Sequence, residues 1–397
     1  MKTQRNPDGH QNAREQDDLR ELQKSHIGPV SRGRLVSLDV FRGITIAGMI
    51  LVNNAGSEHD VYWPLRHAQW HGWTPTDLVF PFFLFIVGIS ITLALSGRVE
   101  IGGSRADLMV KIAKRSLIIF LLGLIINGFP FFHLPVLRIP GVLQRIAVCY
   151  LLASMIFVFT RWKTQAALAL ALPVVYFLVM TLVAAPGFQA GDLTRPGSLA
   201  SYVDRLFLAG HIYRKDYDPE GILSTIPAIA TTLMGILTGH WLRSRQAELA
   251  KAAGMFVAGT AGLVVGWIWN AWFPINKALW TSSYVFFTAG LALLFFAVCY
   301  WLIEIQKYRR WAKPFMIFGA NALALYVLST IVGRMMGLWH IDRGNGAPGD
   351  LKTFLVDHLF ASWLSPINAS LFWAIAYVVF WLAVLSVFYR KNIFIKA

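Results

Sequence analysis

His67 and Asp77 stand ten residues apart where a polar loop runs into a long apolar stretch. An imidazole titrates near neutral pH, and a carboxylate beside it fixes its tautomer and raises its basicity, so the pair has the makings of a general base. The run Thr74-Pro75-Thr76-Asp77 also reads as a helix start, with Thr74 as N-cap and Asp77 facing free backbone N–H groups. Local spacing leaves capping and catalysis both open for Asp77. His59 and His71 compete with His67 in the same loop. His67 and His71 have the spacing of a helical metal pair, but Gly72 and Pro75 argue against a helix there and no third ligand is evident, so no metal is expected. Asn53 and Asn54 close the preceding apolar stretch, either as a helix C-terminus or as amides that orient a substrate or polarise a carbonyl.

A second group of charges follows. In Arg138-Ile-Pro-Gly-Val-Leu-Gln-Arg145 the last arginine falls about one turn inside an apolar helix, where an unpaired charge costs several kcal/mol. Asp39, Asp77, Glu220 or a ligand phosphate are the anions that would satisfy it. Asp218-Pro-Glu-Gly221 repeats the helix-start pattern and leaves Glu220 available to an amine. Asp39 and Arg42, three residues apart, most simply pair with each other.

These residues need a membrane scaffold to position them. Of 397 residues 56% are apolar and only 14% charged, against about 25% charged in soluble domains. Runs of roughly 20 apolar residues, each able to cross a hydrocarbon core of about 30 Å as a helix, recur. They predict ten spans near 36–55, 75–97, 110–128, 141–160, 165–185, 221–242, 254–273, 279–304, 314–335 and 367–389. The shorter 352–365, with Asp357 and His358, is expected to lie at the interface or to re-enter. The fold class is thus an all-α polytopic membrane protein.

With the N-terminus placed inside, the tail, even-numbered loops and C-terminus hold 24 of the 36 Lys and Arg, the opposite loops nine, and spans three. That asymmetry places both termini in the cytoplasm. It accounts for the net charge of +15 through membrane orientation and anionic lipid, not a nucleic-acid partner. Residues 1–34 are expected to be a disordered cytoplasmic tail, and 35–397 the membrane domain. Trp63, Trp70, Trp73, Trp272, Trp280, Trp339 and Trp363 gather on the far side as an aromatic belt, where single rings could also seat a sugar. Cys149 and Cys299 fall within spans and suggest neither disulfide nor metal.

Six blocks carry a family resemblance: Arg34-Leu-Val-Ser-Leu-Asp-Val-Phe-Arg-Gly43, Val52-Asn53, His67 through Pro81, Arg138 through Arg145, Asp218 through Thr225, and Asn276-Lys-Ala-Leu-Trp-Thr-Ser-Ser-Tyr284. In this order they resemble the heparan-alpha-glucosaminide N-acetyltransferase family of transmembrane acyltransferases, and its bacterial amino-sugar-associated members in particular. The resemblance implies transfer of an acetyl group from cytosolic acetyl-CoA to a glucosamine-type amine across the membrane. The family's active-site histidine falls on His67 and an asparagine on Asn53, with Asp77 beside them. The lysosomal member carries a further span and a luminal domain before the first block, and Trp-Asn-Gly where Trp70-His71-Gly72 stands.

On that reading Lys111, Lys114, Arg115, Arg138 and Arg145 are candidates for the phosphates of acetyl-CoA, and Glu220, Lys277 and Asn276 for the sugar. His67 would act as general base in a ternary complex or as a transient nucleophile. An O-acetyltransferase of envelope or periplasmic sugars and an amino-sugar transporter are the alternatives. The expected location is the bacterial inner membrane, with lipid as partner and a homodimer as a candidate assembly.

Overall fold

The computed structural model describes residues 35–342 and 348–395; the expected tail 1–34 lies outside them. Within the unit Val36–Ala397 the chain forms α1 (Val36–Asn53), a one-turn helix Pro75–Leu78 leading into α2 (Val79–Glu100), α3 (Arg105–Gly128), α4 (Val142–Phe159) and α5 (Trp162–Leu182). Next come α6 (Leu199–Phe207), α7 (Thr225–Leu242), α8 (Glu248–Trp269), α9 (Ser282–Tyr300), α10 (Lys313–Ala320) and α11 (Ala322–Leu338). A short antiparallel pair follows, β1 (His340–Asp342) and β2 (Pro348–Asp350), then α12 (Leu351–Val356) and α13 (Pro366–Arg390).

Every stretch expected to span is helical, but they are not equally apolar. Seven helices among the described residues are long and apolar enough to cross a bilayer, or eight when the bent pair across Asn321 counts as one. The exceptions have a chemical cause. The first half of α3 carries Arg105, Asp107, Lys111, Lys114 and Arg115, and α7 is rich in Thr and Gly. Between Arg310–Ala320 and Ala322–Leu338 the axis turns by 72°. Asn321, at the break, ties its amide to the backbone of Ile393 and Ile395. The segment expected at the interface is a six-residue helix continued by a five-residue turn, too short to span. The β1–β2 pair was not anticipated in an all-α chain.

The bundle is closed most tightly where helices meet without side chains. A Cβ on Gly88 would sit 2.0 Å from the Thr232 carbonyl oxygen, and one on Gly235 2.1 Å from that of Phe85. This contact locks α2 against α7, and so fixes the loop before α2 relative to the loop before α7. Beneath both lies Trp280, fully buried. Its ring meets the edges of Phe80 at 5.0 Å and Tyr284 at 5.2 Å. Trp280 adopts a left-handed backbone (φ 50°), a cost offset by burying the whole indole. It is therefore a core residue and not a membrane anchor, whereas Trp63, Trp272, Trp339 and Trp363 are all exposed.

Candidate active site

The start of α2 builds the centre. Asp77 does both things its position allowed. Its Oδ2 accepts the backbone N–H of Thr74 at 3.1 Å and of Ala68 at 3.0 Å, and its Oδ1 meets His67 Nδ1 at 2.6 Å. Thr74 Oγ1 donates to the Arg66 carbonyl at 2.6 Å and Thr76 Oγ1 to that of Pro64 at 3.0 Å, folding the loop back onto the helix start. Tyr284 Oη donates to the Asp77 carbonyl at 2.5 Å from α9. The carboxylate is 1% exposed and the imidazole 52%. A buried acceptor thus holds Nδ1–H and leaves Nε2, with its lone pair, on the accessible side.

Lys277 completes the cluster from the turn before α9. Its Nζ lies 3.0 Å from His67 Nδ1, 3.5 Å from Nε2 and 3.4 Å from Asp77 Oδ1. Burial lowers the Lys277 pKa, and the nearby charges of Asp77 and Glu220 only partly restore it. Asn276 shapes this turn: its Oδ1 accepts the Leu279 N–H at 2.9 Å, and its own N–H donates to Thr281 at 3.0 Å. Asn276 is fully buried and does not line the pocket, so the structure gives it a positioning place instead of the expected sugar contact.

His67, Asp77 and Lys277 open on a pocket of about 360 Å³. Met49, Val52, Val79, Phe80, Phe83 and Tyr326 form an apolar wall, with Asn53 at the end of α1 beside it. The Asn53 amide makes no hydrogen bond among the described residues, whereas Asn54 Nδ2 caps α1 through the Ile50 carbonyl at 2.9 Å. His59 and His71 do not line the pocket. Among the described residues no three His, Cys, Asp or Glu side chains form a metal-holding group.

The opposite wall is ionic. Arg138 donates from Nε to Asp218 Oδ2 at 2.9 Å and from an NH2 group to Asp218 Oδ1 at 2.7 Å and Glu220 Oε2 at 2.5 Å. Asp218 also accepts the N–H of Tyr213 at 2.7 Å and of Glu220 at 2.9 Å. Burial works against the Arg138 charge, but Asp218 and Glu220 outweigh it and raise its pKa. Two carboxylates share one guanidinium here, and Arg214 lines the pocket in the same loop as Glu220. Arg138, expected at the donor's phosphates, lines the pocket with its guanidinium bound to Asp218 and Glu220. Glu220 does line the pocket.

The sequence did not single out Tyr213, Arg214 and Tyr217, which also line the pocket. Their signal was the aromatic and basic run Tyr213-Arg-Lys-Asp-Tyr217 in a long loop. Trp70 lines the pocket too. It is fixed by its Nε1–H on the Leu193 carbonyl at 2.8 Å and by the edge of Tyr217 at 5.1 Å.

Arg145 pairs with none of the carboxylates anticipated for it, Asp39, Asp77 and Glu220. It is 2% exposed, lies over Trp280 at 5.2 Å, and donates to the Gly221 carbonyl at 3.0 Å and Ser224 Oγ at 2.5 Å. It braces the loop that carries Glu220 and stays outside the pocket. Asp39 instead pairs with Arg42 at 3.3 Å. Lys111, Lys114 and Arg115 are exposed on the first half of α3, remote from the pocket. From Arg115 to the end of α3 at Gly128 is about 20 Å at a rise of about 1.5 Å per residue.

Comparison with known proteins identifies a family. The family model described as heparan-alpha-glucosaminide N-acetyltransferase, catalytic, matches residues 34–268. Heparan-alpha-glucosaminide N-acetyltransferase of Homo sapiens is 30% identical over 352 residues, 74% of this chain and 52% of that protein. The protein of the same name from Mus musculus is 30% identical over 355 residues, 75% of this chain and 53% of its own length. The chain thus spans about half the length of these curated relatives.

Proposed function

The chain belongs to the heparan-alpha-glucosaminide N-acetyltransferase catalytic family, and from that premise we propose that it moves an acetyl group from acetyl-CoA to the amine of a glucosamine-type sugar. The observation that carries the reading is the 2.6 Å His67–Asp77 pair opening on a pocket whose far wall presents Glu220. The donor supplies an acyl group on a sulfur leaving group. Glu220, lining the pocket, binds the sugar ammonium, and Trp70 and Tyr217 offer faces to the ring. His67 Nε2 takes a proton from the attacking nitrogen, and Asp77 stabilises the imidazolium that results.

The Asn53 amide faces the acyl oxygen, and Phe80 and Phe83 keep water from the acyl carbon. Direct transfer in one ternary complex suits a half-exposed imidazole better than a water-labile acyl-histidine. All ten apolar helical units span the membrane on this reading, with both termini cytoplasmic and the pocket on the periplasmic side of an inner membrane. Lys111, Lys114 and Arg115, exposed and without a carboxylate partner among the described residues, receive the donor's phosphates from the cytoplasm.

The test is transfer of labelled acetyl by purified protein. His67→Ala is expected to lower kcat by about 10³-fold or more and Asp77→Asn by about 10²–10⁴-fold, both with unchanged monodispersity. The product should resist mild alkali, as an amide does; an alkali-labile product would instead identify a hydroxyl acceptor. Retained turnover in His67→Ala refutes the assignment.

A further inference from the structure

An amine acceptor poses a proton problem that one imidazole does not solve. A sugar ammonium must lose one proton before its nitrogen has a lone pair. It must lose a second as the C–N bond forms and the C–S bond breaks. That second proton ends on the departing sulfur, and the first leaves to solvent. A hydroxyl acceptor has only one proton to shed, and it too ends on sulfur. His67 handles one transfer, so amine transfer calls for a second acceptor within reach.

We infer that Lys277 is that second acceptor, taking the first proton from the sugar ammonium so that His67 enters the acyl-transfer step neutral. The inference rests on the amine-transfer reading above. Its geometric basis is the position of Nζ on the wall of the same pocket, 3.5 Å from the accessible Nε2 of His67. The Lys277 amine is 22% exposed and lies against Asp77 and His67 instead of reaching bulk water.

Two carboxylates facing Lys277 favour its charged form, and burial outweighs them. Asp77 lies 3.4 Å from Nζ. Glu220 bears on it across the pocket but is bonded to Arg138, and Arg214 and Tyr217 line the same space. Burial disfavours its charge, so a proton received from substrate is readily passed on. Neither carboxylate has Lys277 as its sole partner, since Asp77 is held by His67 and two backbone N–H groups and Glu220 by Arg138.

The experiment compares two acceptors at pH 7, glucosamine and an aminooxy sugar whose nitrogen is already neutral and has one proton to lose. Lys277→Met is expected to slow transfer to glucosamine by about 10²-fold or more, but to slow the aminooxy acceptor by only a few fold. Raising the pH until glucosamine is itself neutral should recover most of the loss. Lys277→Arg keeps the charge but cannot accept a proton, and should be as slow as Lys277→Met on glucosamine.

Equal losses with both acceptors, or rescue by Lys277→Arg, overturn the inference and leave Lys277 a charged positioning residue. Thermal unfolding of each variant checks that the fold is intact. A wild-type protein that acetylates neither acceptor from acetyl-CoA defeats the amine-transfer reading itself, a result distinct from a failure of Lys277.

Discussion

The two ends of the bundle treat charge in opposite ways. At the pocket end four loops bring Arg138, Asp218 and Glu220 into one cluster and His67, Asp77 and Lys277 into another, and Asp218 and Asp77 are essentially buried. On the first half of α3, Lys111, Lys114 and Arg115 stand exposed with no carboxylate partner among the described residues. Removing a partner at the first end strands a desolvated charge. Removing a charge at the second changes little but the field. A charged residue in a membrane chain therefore says little until its partner is known, and the two ends should respond to substitution on different scales.

The largest effect on stability is expected at Arg138. Arg138→Met leaves Asp218, with a fully buried side chain, and Glu220 without a counter-charge. Breaking such a pair costs about 3–5 kcal/mol, and the partial exposure of Arg138 favours the lower figure. Thermal unfolding in detergent should show a marked fall in Tm. An unchanged Tm would erase the distinction between the two ends.

Asp204 sharpens the same contrast through pH. Its Oδ1 accepts the Ile222 N–H at 2.8 Å, and a Cβ on Gly221 would overlap its carboxyl. Burial, with Asp218 nearby, pushes its pKa up to about 6, above the ordinary value of about 3.9. The folded state thus holds this proton more tightly than the unfolded chain. The stabilisation is fully present below pH about 4 and is lost as the pH rises through about 6, a change of about 2–3 kcal/mol. Asp204→Asn keeps an acceptor for Ile222 and removes the titration. The variant should gain stability relative to wild type between pH 5 and pH 7.5, measured as the difference in Tm at the two values.

What the sequence made legible follows from the range of the forces involved. The helices were readable because lipid demands long apolar runs. The Asp77 cap and its reach to His67 were readable because ten residues of loop return to one helix start. Lys277 against His67, 210 residues away, and Arg138 against Asp218, 80 away, were not. Their meeting depends on how distant helices pack, which no local pattern in the sequence encodes. Arg145 misled for a related reason: its charge demanded an anion, yet an indole face, a carbonyl and a hydroxyl met it.

That makes Arg145 a smaller case than its burial suggests. Its Nε and one NH group have no hydrogen-bond partner among the described residues, so part of its desolvation goes uncompensated. Replacing a poorly compensated buried charge by an apolar side chain of similar volume is often neutral or stabilising. Arg145→Met should shift stability by no more than about 1 kcal/mol, against the larger loss at Arg138→Met. A loss at Arg145 equal to that at Arg138 would mean that its contacts to Gly221 and Ser224 hold the Glu220 loop more firmly than the paired carboxylates do.

The smallest expected change in stability per residue belongs to the exposed end. Neutralising Lys111, Lys114 and Arg115 together to Gln removes no buried pair, and surface changes of this kind stay within about 0.5 kcal/mol each. Among the described residues only Arg115 gives up a defined contact, its guanidinium 5.2 Å from the Tyr150 ring centre. If these cations receive the donor's phosphates, the triple variant should raise the KM for acetyl-CoA several-fold while kcat and Tm stay near wild type. The wild-type KM should climb with added salt, because exposed charges are screened over about 10 Å at 0.1 M ionic strength. A variant with an unaltered, equally salt-sensitive KM would move the donor's phosphates to another part of the molecule.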